Sequence, residues 1–447
     1  MSIEKSTEEK IDELLDWISG KCRQLNVETF DILGYSSIVG QVRFSNNSIT
    51  TVNYVANTES MLYMTKAKKR IMGLITSTER DAVEKLVERL YTSMVNGSPD
   101  SEFAPLPKGP FSYVNLVTSD EVLQLESSDL ASRAIDAAVT AGAKRVAGSL
   151  QGAVERIRLL TSSGVDASDT KSEYTLNVRA FVEKDASGHG IAVSPRLKGL
   201  DVEAAGRTAG ENAKKAVSPK QVEQGKYTVL IGRTVFANLT EAVGYSSSAF
   251  SIESGLSFLP EKLGEEAASS SFSLVDHGQI EGGVGSRRFD DEGLPTRKNT
   301  IIDRGIMKTH LHNSTTAMRW KTTSTANAGL IEPHPWNLEV SAGDSSLDEM
   351  IKETKRGIYI TNNWYTRYQN HKLGEYSTLP RDYAAYIENG EIKYPVAGFR
   401  VSDAIPRQLK SLRLIGKERS WVKWWEVHTP VLCPDVLVDE VTITRAT

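Results

Sequence analysis

The strongest constraint on the fold of this chain is a change in its texture near Lys226. Upstream, strand-like runs alternate with amphipathic helices. Downstream, the chain turns to Gly, Ser and short alternating apolar runs, with little helical spacing except over 346–355. Six of the seven tryptophans (Trp320, Trp336, Trp364, Trp421, Trp424 and Trp425) fall in this second part, and large aromatics in period-two runs suit half-buried strands. The expected class is α+β, with a mixed α/β N-terminal region over 1–220 and a strand-rich, mainly antiparallel C-terminal domain over 221–447.

In the first region, Ile11, Leu14, Leu15, Ile18, Cys22 and Leu25 recur at helical spacing, which makes Cys22 a core-face thiol. Short strands are expected over 27–76, then a helix from Ser77 or Thr78 to Asn96. Four prolines (Pro99, Pro105, Pro107 and Pro110) predict an extended connection over 99–111. An Ala-rich helix follows over about 128–147, with strands near 154–162 and 174–183 and a helix near 201–216. Strands followed by a helix thus occur twice, in 27–96 and 154–216, which admits an internal duplication.

Composition narrows the functional classes. A net charge of −4 over 447 residues gives no electrostatic ground for a nucleic-acid or anionic-membrane partner. The basic run Lys66, Lys68, Lys69, Arg70 reads as a solvated turn. The two cysteines, Cys22 and Cys433, exclude a disulfide scaffold and a four-cysteine zinc site. With neither an apolar leader nor a window of ~20 apolar residues, a cytoplasmic location is expected.

The segment Thr240-Glu241-Ala242-Val243-Gly244-Tyr245 falls at the end of a helical pattern over Thr234 to Val243. Its spacing is that of His-Glu-x-x-x-His, in which two imidazoles hold zinc and the glutamate activates the metal-bound water. Here Thr240 and Tyr245 replace the histidines. Elsewhere, His310 and His312 would share one strand face and could chelate a metal with Asp303 or His334, or simply form a polar face. Asp290, Asp291 and Glu292 could hold a hard cation, although Gly293 and Pro295 favour a turn. No serine-hydrolase elbow or phosphate loop is present.

Three further segments accompany the 240–245 motif. They are Asp290-Asp291-Glu292-Gly293-Leu294-Pro295-Thr296 with Asn299 and Ile301 to Gly305, then Gly374-Glu375-Tyr376-Ser377, then Tyr386 to Ile392 leading into Tyr394-Pro395-Val396. In this order they resemble the TldD/PmbA family over about 220–445, and Arg158 to Gly164 is similar to a family strand and turn. The resemblance implies two types of subunit. One carries the intact histidine motif and acts as a zinc peptidase on unstructured peptides; the PmbA or TldE-like type lacks the histidines and pairs with it around a peptide cleft. Carried onto this chain, Glu241 takes the catalytic position and Thr240 and Tyr245 the degenerate metal positions. Asp290, Asp291, Glu292, Asn299, Glu375, Tyr376 and Ser377 become cleft or peptide-binding candidates. No metal or cofactor is then expected in this chain, zinc being confined to a histidine-bearing partner. That partner is a TldD-like homologous subunit or a second copy of the chain, and the substrate is a peptide. The alternatives are an autonomous peptidase with a non-standard metal site or none, and a non-catalytic peptide-binding homodimer.

Overall fold

A computed structural model describes residues 3–99, 102–116, 118 and 127–445. Helix α1 (Ile3–Gln24), strands β1 (Thr29–Ser45), β2 (Ser48–Lys66) and β3 (Lys69–Ile75), and helix α2 (Arg80–Asn96) come first. Helix α3 (Ser128–Thr140), strands β4 (Arg145–Thr161), β5 (Asp166–Glu183) and β6 (Ala186–Ser194), and helix α4 (Val202–Lys215) repeat the same order. The six strands form one antiparallel sheet in the order β3-β2-β1-β4-β5-β6.

The predicted apolar face of α1 is buried against the sheet and against Val83, Val87 and Met94 of α2. Cys22 lies in that layer, and burial pushes its thiol up to about 12, which makes it an inert core group. The basic run is more than a solvated turn. Ala67 and Lys68 take the two positive-φ positions of a tight hairpin turn. Beside them, Lys66 Nζ donates to Tyr91 Oη (2.7 Å) and Lys69 Nζ to the Val95 carbonyl, fastening the turn to α2.

Helix α3 is shorter than its alanine content suggests. Gly142 (φ +117°) turns the chain, and β4 begins at Arg145. Helix α4 sits directly on β6: a Cβ at Gly190 would lie 2.0 Å from the Ala205 carbonyl oxygen, and one at Gly188 2.1 Å from that of Ala209. Only glycine permits that approach.

The remaining chain builds a 14-stranded mixed sheet. In order, it contains β7 (Lys220–Gln221), β8 (Gly225–Ile231), α5 (Arg233–Ser246), α6 (Ala249–Glu253), β9 (Leu274–His277), β10 (Lys298–Asp303) and β11 (Ile306–Met307). Helix α7 (Ser314–Arg319), β12 (Leu338–Val340), α8 (Leu347–Lys352), β13 (Arg356–Ile360), β14 (Asn363–Asn370) and β15 (Glu375–Pro380) follow. The last elements are β16 (Ala384–Glu388), β17 (Glu391–Ala397), β18 (Phe399–Ala404), α9 (Ile405–Lys410), β19 (Leu412–Trp424) and β20 (Val427–Arg445). Three pairs, β8·β13, β12·β20 and β7·β17, are parallel and the other strand pairs are antiparallel. The fold is α+β, as expected. Helix α5 is buried on nearly every side, and Val235, Phe236, Leu239 and Val243 anchor it in the main core of this sheet.

Candidate functional site

Strand β20 fixes both ends of α5. At the start, the Arg233 amide donates to Asp435 Oδ1 (2.7 Å) and its guanidinium to Oδ2 (2.7 Å), so Asp435 performs the capping that Gly232 cannot. Further along, Glu241 Oε1 accepts from the amides of His428 (2.7 Å) and Thr429 (2.6 Å). Burial raises the Glu241 carboxyl above its ordinary range, and the two amides offset part of that rise.

Glu241 and Tyr245 are one helical turn apart and share a face. Together with Asn238, Ala242, Phe258, Leu256, Tyr368 and His371 they line a mostly apolar cleft of about 270 Å³. Tyr245 is 41% exposed at its rim, and Thr429 Oγ1 donates to its hydroxyl (3.3 Å). Burial also raises the Tyr245 phenol. Below the cleft, the Asn238 side chain accepts from Asn363 Nδ2 (2.9 Å) and Thr366 Oγ1 (2.7 Å), and donates to the Glu426 carbonyl (2.6 Å). This buried network ties β14, which carries Tyr368, to α5 and to the β19–β20 turn.

Thr240 is not part of this arrangement. Five residues of regular helix turn it about 140° away from Tyr245. It is 1% exposed in the core, with its Oγ1 lacking a hydrogen-bond partner. The pair that the sequence places at the metal positions therefore does not converge.

The other expected site residues also lie away from the cleft lining. Asp290 shapes a turn, accepting from the amides of Glu292, Leu294 and Ala328. Asp291 pairs with the buried Arg287 (2.9 Å), and Glu292 accepts from the Ser314 amide and hydroxyl. Asn299 donates to the Thr325 carbonyl and to Asn327, which in turn donates to Asp276. Glu375 is exposed, Tyr376 is buried with its hydroxyl on Gln408 (2.9 Å), and Ser377 accepts from Arg400 (2.7 Å). Tyr376 is nevertheless the register partner of Tyr368, so this segment backs the cleft wall.

Nor do the histidines assemble. His310 and His312 share a face as their spacing predicts, but that face meets the edge of Trp320, with ring centroids 5.2 and 5.4 Å away. His310 Nε2 is bonded to the Glu261 carbonyl and His312 Nδ1 to Thr316. His334 packs on Trp336, and Asp303 stands beside Arg304. Among the described residues, no three His, Cys, Asp or Glu side chains are placed to hold a metal ion. Zinc needs three or four such donors, and this cleft offers one carboxylate (Glu241), one imidazole (His371) and a phenol (Tyr245), which fall short of that set.

A family model described as the PmbA/TldA metallopeptidase C-terminal domain matches residues 224–445, and one described as the central domain matches 117–217. The chain belongs to the TldD/PmbA family. It is 23% identical over 460 residues to the metalloprotease PmbA of Escherichia coli O157:H7, covering 98% of this chain and 96% of that protein. A metalloprotease of Methanocaldococcus jannaschii is 33% identical over 191 residues, a match spanning 41% of this chain and 42% of that relative. Among solved structures, TldE from Thermococcus kodakarensis superposes with a TM-score of 0.84 at 19% identity, covering 96% of this chain and 100% of that one. A protein of Thermotoga maritima described as a putative modulator of a DNA gyrase gives 0.83 at 23% identity, over 97% and 100%.

The residues that sequence reasoning missed are Tyr368, His371, Phe258 and the His428–Thr429 amides. Asn238 alone carried a local signal, standing three residues before Glu241 on the same helix face.

Proposed function

We propose that this chain is the zinc-free, TldE-like subunit of a metallopeptidase complex acting on unstructured peptides, shaping the peptide cleft for a histidine-bearing relative. The observation that carries this reading is the environment of Glu241. Its carboxyl group holds β20 against α5 through two amides, and among the described residues no three His, Cys, Asp or Glu side chains are grouped to hold a metal ion. Hydrolysis of an amide by a carboxylate alone lacks the activation that lowers the pKa of water from ~15.7 towards ~7.

The test is co-expression with a relative carrying both histidines. One hetero-oligomeric species is expected on sizing. Its peptide cleavage should change less than about threefold when Glu241 is replaced by Gln in this chain, since glutamine keeps an acceptor for the two amides. Replacing the motif glutamate of the relative should abolish cleavage, by about 10²–10⁴-fold. Two separate species, or zinc-dependent turnover by this chain alone that Glu241→Gln abolishes, would overturn the proposal in favour of an autonomous peptidase.

A further inference from the structure

A second concavity, of about 710 Å³, opens where the β19–β20 turn meets the six-stranded sheet. Its walls include Arg43, Phe44, Phe181, Trp364, Trp424 and Trp425. The Trp364 and Trp425 rings lie 4.0 Å apart at 43°, and the Arg381 guanidinium sits 4.0 Å over Trp364. Phe44 and Trp424 belong to the cores beneath the groove, whereas Trp425 is 52% exposed and the neighbouring Tyr365 47%. Tyr365 is also held at φ +57°, a strained conformation for a bulky residue, by its amide donating to Glu426 Oε1 (3.1 Å). Its ring lies 5.6 Å from that of Trp364.

Strand β14 and the β19–β20 turn lead from this groove to the Glu241 cleft. Trp364 lies at the start of β14, and Tyr368, four residues on, lines the cleft. Trp425 precedes by four residues Thr429, whose amide binds Glu241. At ~3.3 Å per residue, four residues span at most about 13 Å, and the left-handed Tyr365 within the β14 segment shortens that path.

We infer that the groove is an exosite for an aromatic side chain of the same extended peptide, about four residues from the segment held at Glu241. Ring-on-ring contact with Trp364 and Trp425, and the guanidinium of the exposed Arg43 on the facing wall, give an aromatic side chain partners that an aliphatic one lacks. The inference rests on the reading of the Glu241 cleft as a peptide site. A single-stranded nucleic acid, which also stacks on aromatic and arginine surfaces, is the competing ligand class.

The experiment measures fluorescence anisotropy on the full-length chain, alone and with a histidine-bearing relative. The probes are fluorescein-labelled ten-residue Gly/Ser peptides carrying one Leu, with Phe, Leu or Ser placed four residues from it, and a labelled ten-nucleotide oligothymidylate. The Phe peptide is expected to bind at least tenfold tighter than the Ser peptide. Trp425→Ala should erase that preference while leaving the Ser-peptide Kd within twofold, and Trp425→Phe should retain it. A Phe preference unchanged in Trp425→Ala, equal binding of Phe and Leu peptides, or Trp425-dependent binding of the oligonucleotide instead overturns the exosite and leaves the cleft reading intact. Failure of all peptides to bind either preparation overturns both.

Discussion

Asp382→Ala is expected to lower the unfolding free energy by about 3 kcal/mol, one of the larger losses available to a single side chain outside the apolar core. Asp382 lies in the short connection between β15 and β16, and its side chain is fully buried. Its Oδ1 accepts from Arg179 Nε (3.1 Å), Arg179 Nη2 (2.5 Å) and Ser187 Oγ (2.5 Å), and its Oδ2 from Asn362 Nδ2 (2.6 Å). Arg179 belongs to β5 and Ser187 to β6, so one carboxylate fastens the six-stranded sheet to the 14-stranded one. Removing it strands a largely buried guanidinium and two further donors. Asp382 also adopts φ +64°, which Asp and Asn tolerate better than Ala, so Asp382→Asn should cost less than Asp382→Ala.

The pH dependence identifies the source of that loss. Burial opposes the charge, yet the Arg179 guanidinium and the Ser187 hydroxyl help hold the Asp382 carboxyl below its ordinary range. A depressed carboxyl stabilises the fold above its unfolded pKa of about 3.9, and that stability is lost as pH falls through the folded value. Urea unfolding should therefore show a wide gap between wild type and Asp382→Ala at pH 7, narrowing at pH 3. A gap of equal size at both pH values would mean that the ion pair is not its source.

What the sequence made legible is what local spacing determines. The apolar stripe of α1, the burial of Cys22, the helix carrying Glu241 and the change to a strand-rich C-terminal sheet all depend on neighbours within a few residues. The geometry of the site does not. Glu241 is held by amides 187 and 188 residues away, and Tyr368 reaches the cleft through a network joining Asn238 to Asn363, 125 residues distant. Partners at that separation leave no periodic trace. The sequence also encouraged the idea that Thr240 and Tyr245 act as a pair, because adjacency in a motif suggests adjacency in space. A five-residue step on a helix separates them, and the core around Thr240 does the rest. In the acidic segment 290–292 the turn that Gly293 and Pro295 favour was legible, but the long-range partners of its carboxylates, Ala328 and Ser314, were not.

That acidic segment should make the protein more stable as pH falls towards 5, against the usual trend for paired carboxylates. The loop bearing it is pressed onto the six-stranded sheet, with Phe289 packed among Leu33, Ile157, Leu159 and Val165. Glu292 is buried there, and burial raises its carboxyl to about 7; bonds from Ser314 lower it and the Asp291 charge raises it. Asp290 is also pushed well up by burial and by Glu292. Across the seam, Asp31 of β1 is fully buried with neither oxygen hydrogen-bonded, and burial followed by Asp291, Glu292 and Asp290 pushes it well up. Arg287 is the cation paired with Asp291. Between pH ~4.5 and ~7 the folded chain thus binds more protons at these groups than the unfolded chain, and their contribution to stability falls as pH rises through that window. Glu292→Gln cannot titrate and keeps an acceptor for Ser314. Its stability relative to wild type should be lowest below pH ~4.5 and climb by on the order of 2–3 kcal/mol by pH ~7.5, then level off. Urea denaturation of both proteins at half-unit steps from pH 4.5 to 8 measures the difference directly. A difference that stays constant across the series would show that Glu292 is already ionised in the fold throughout.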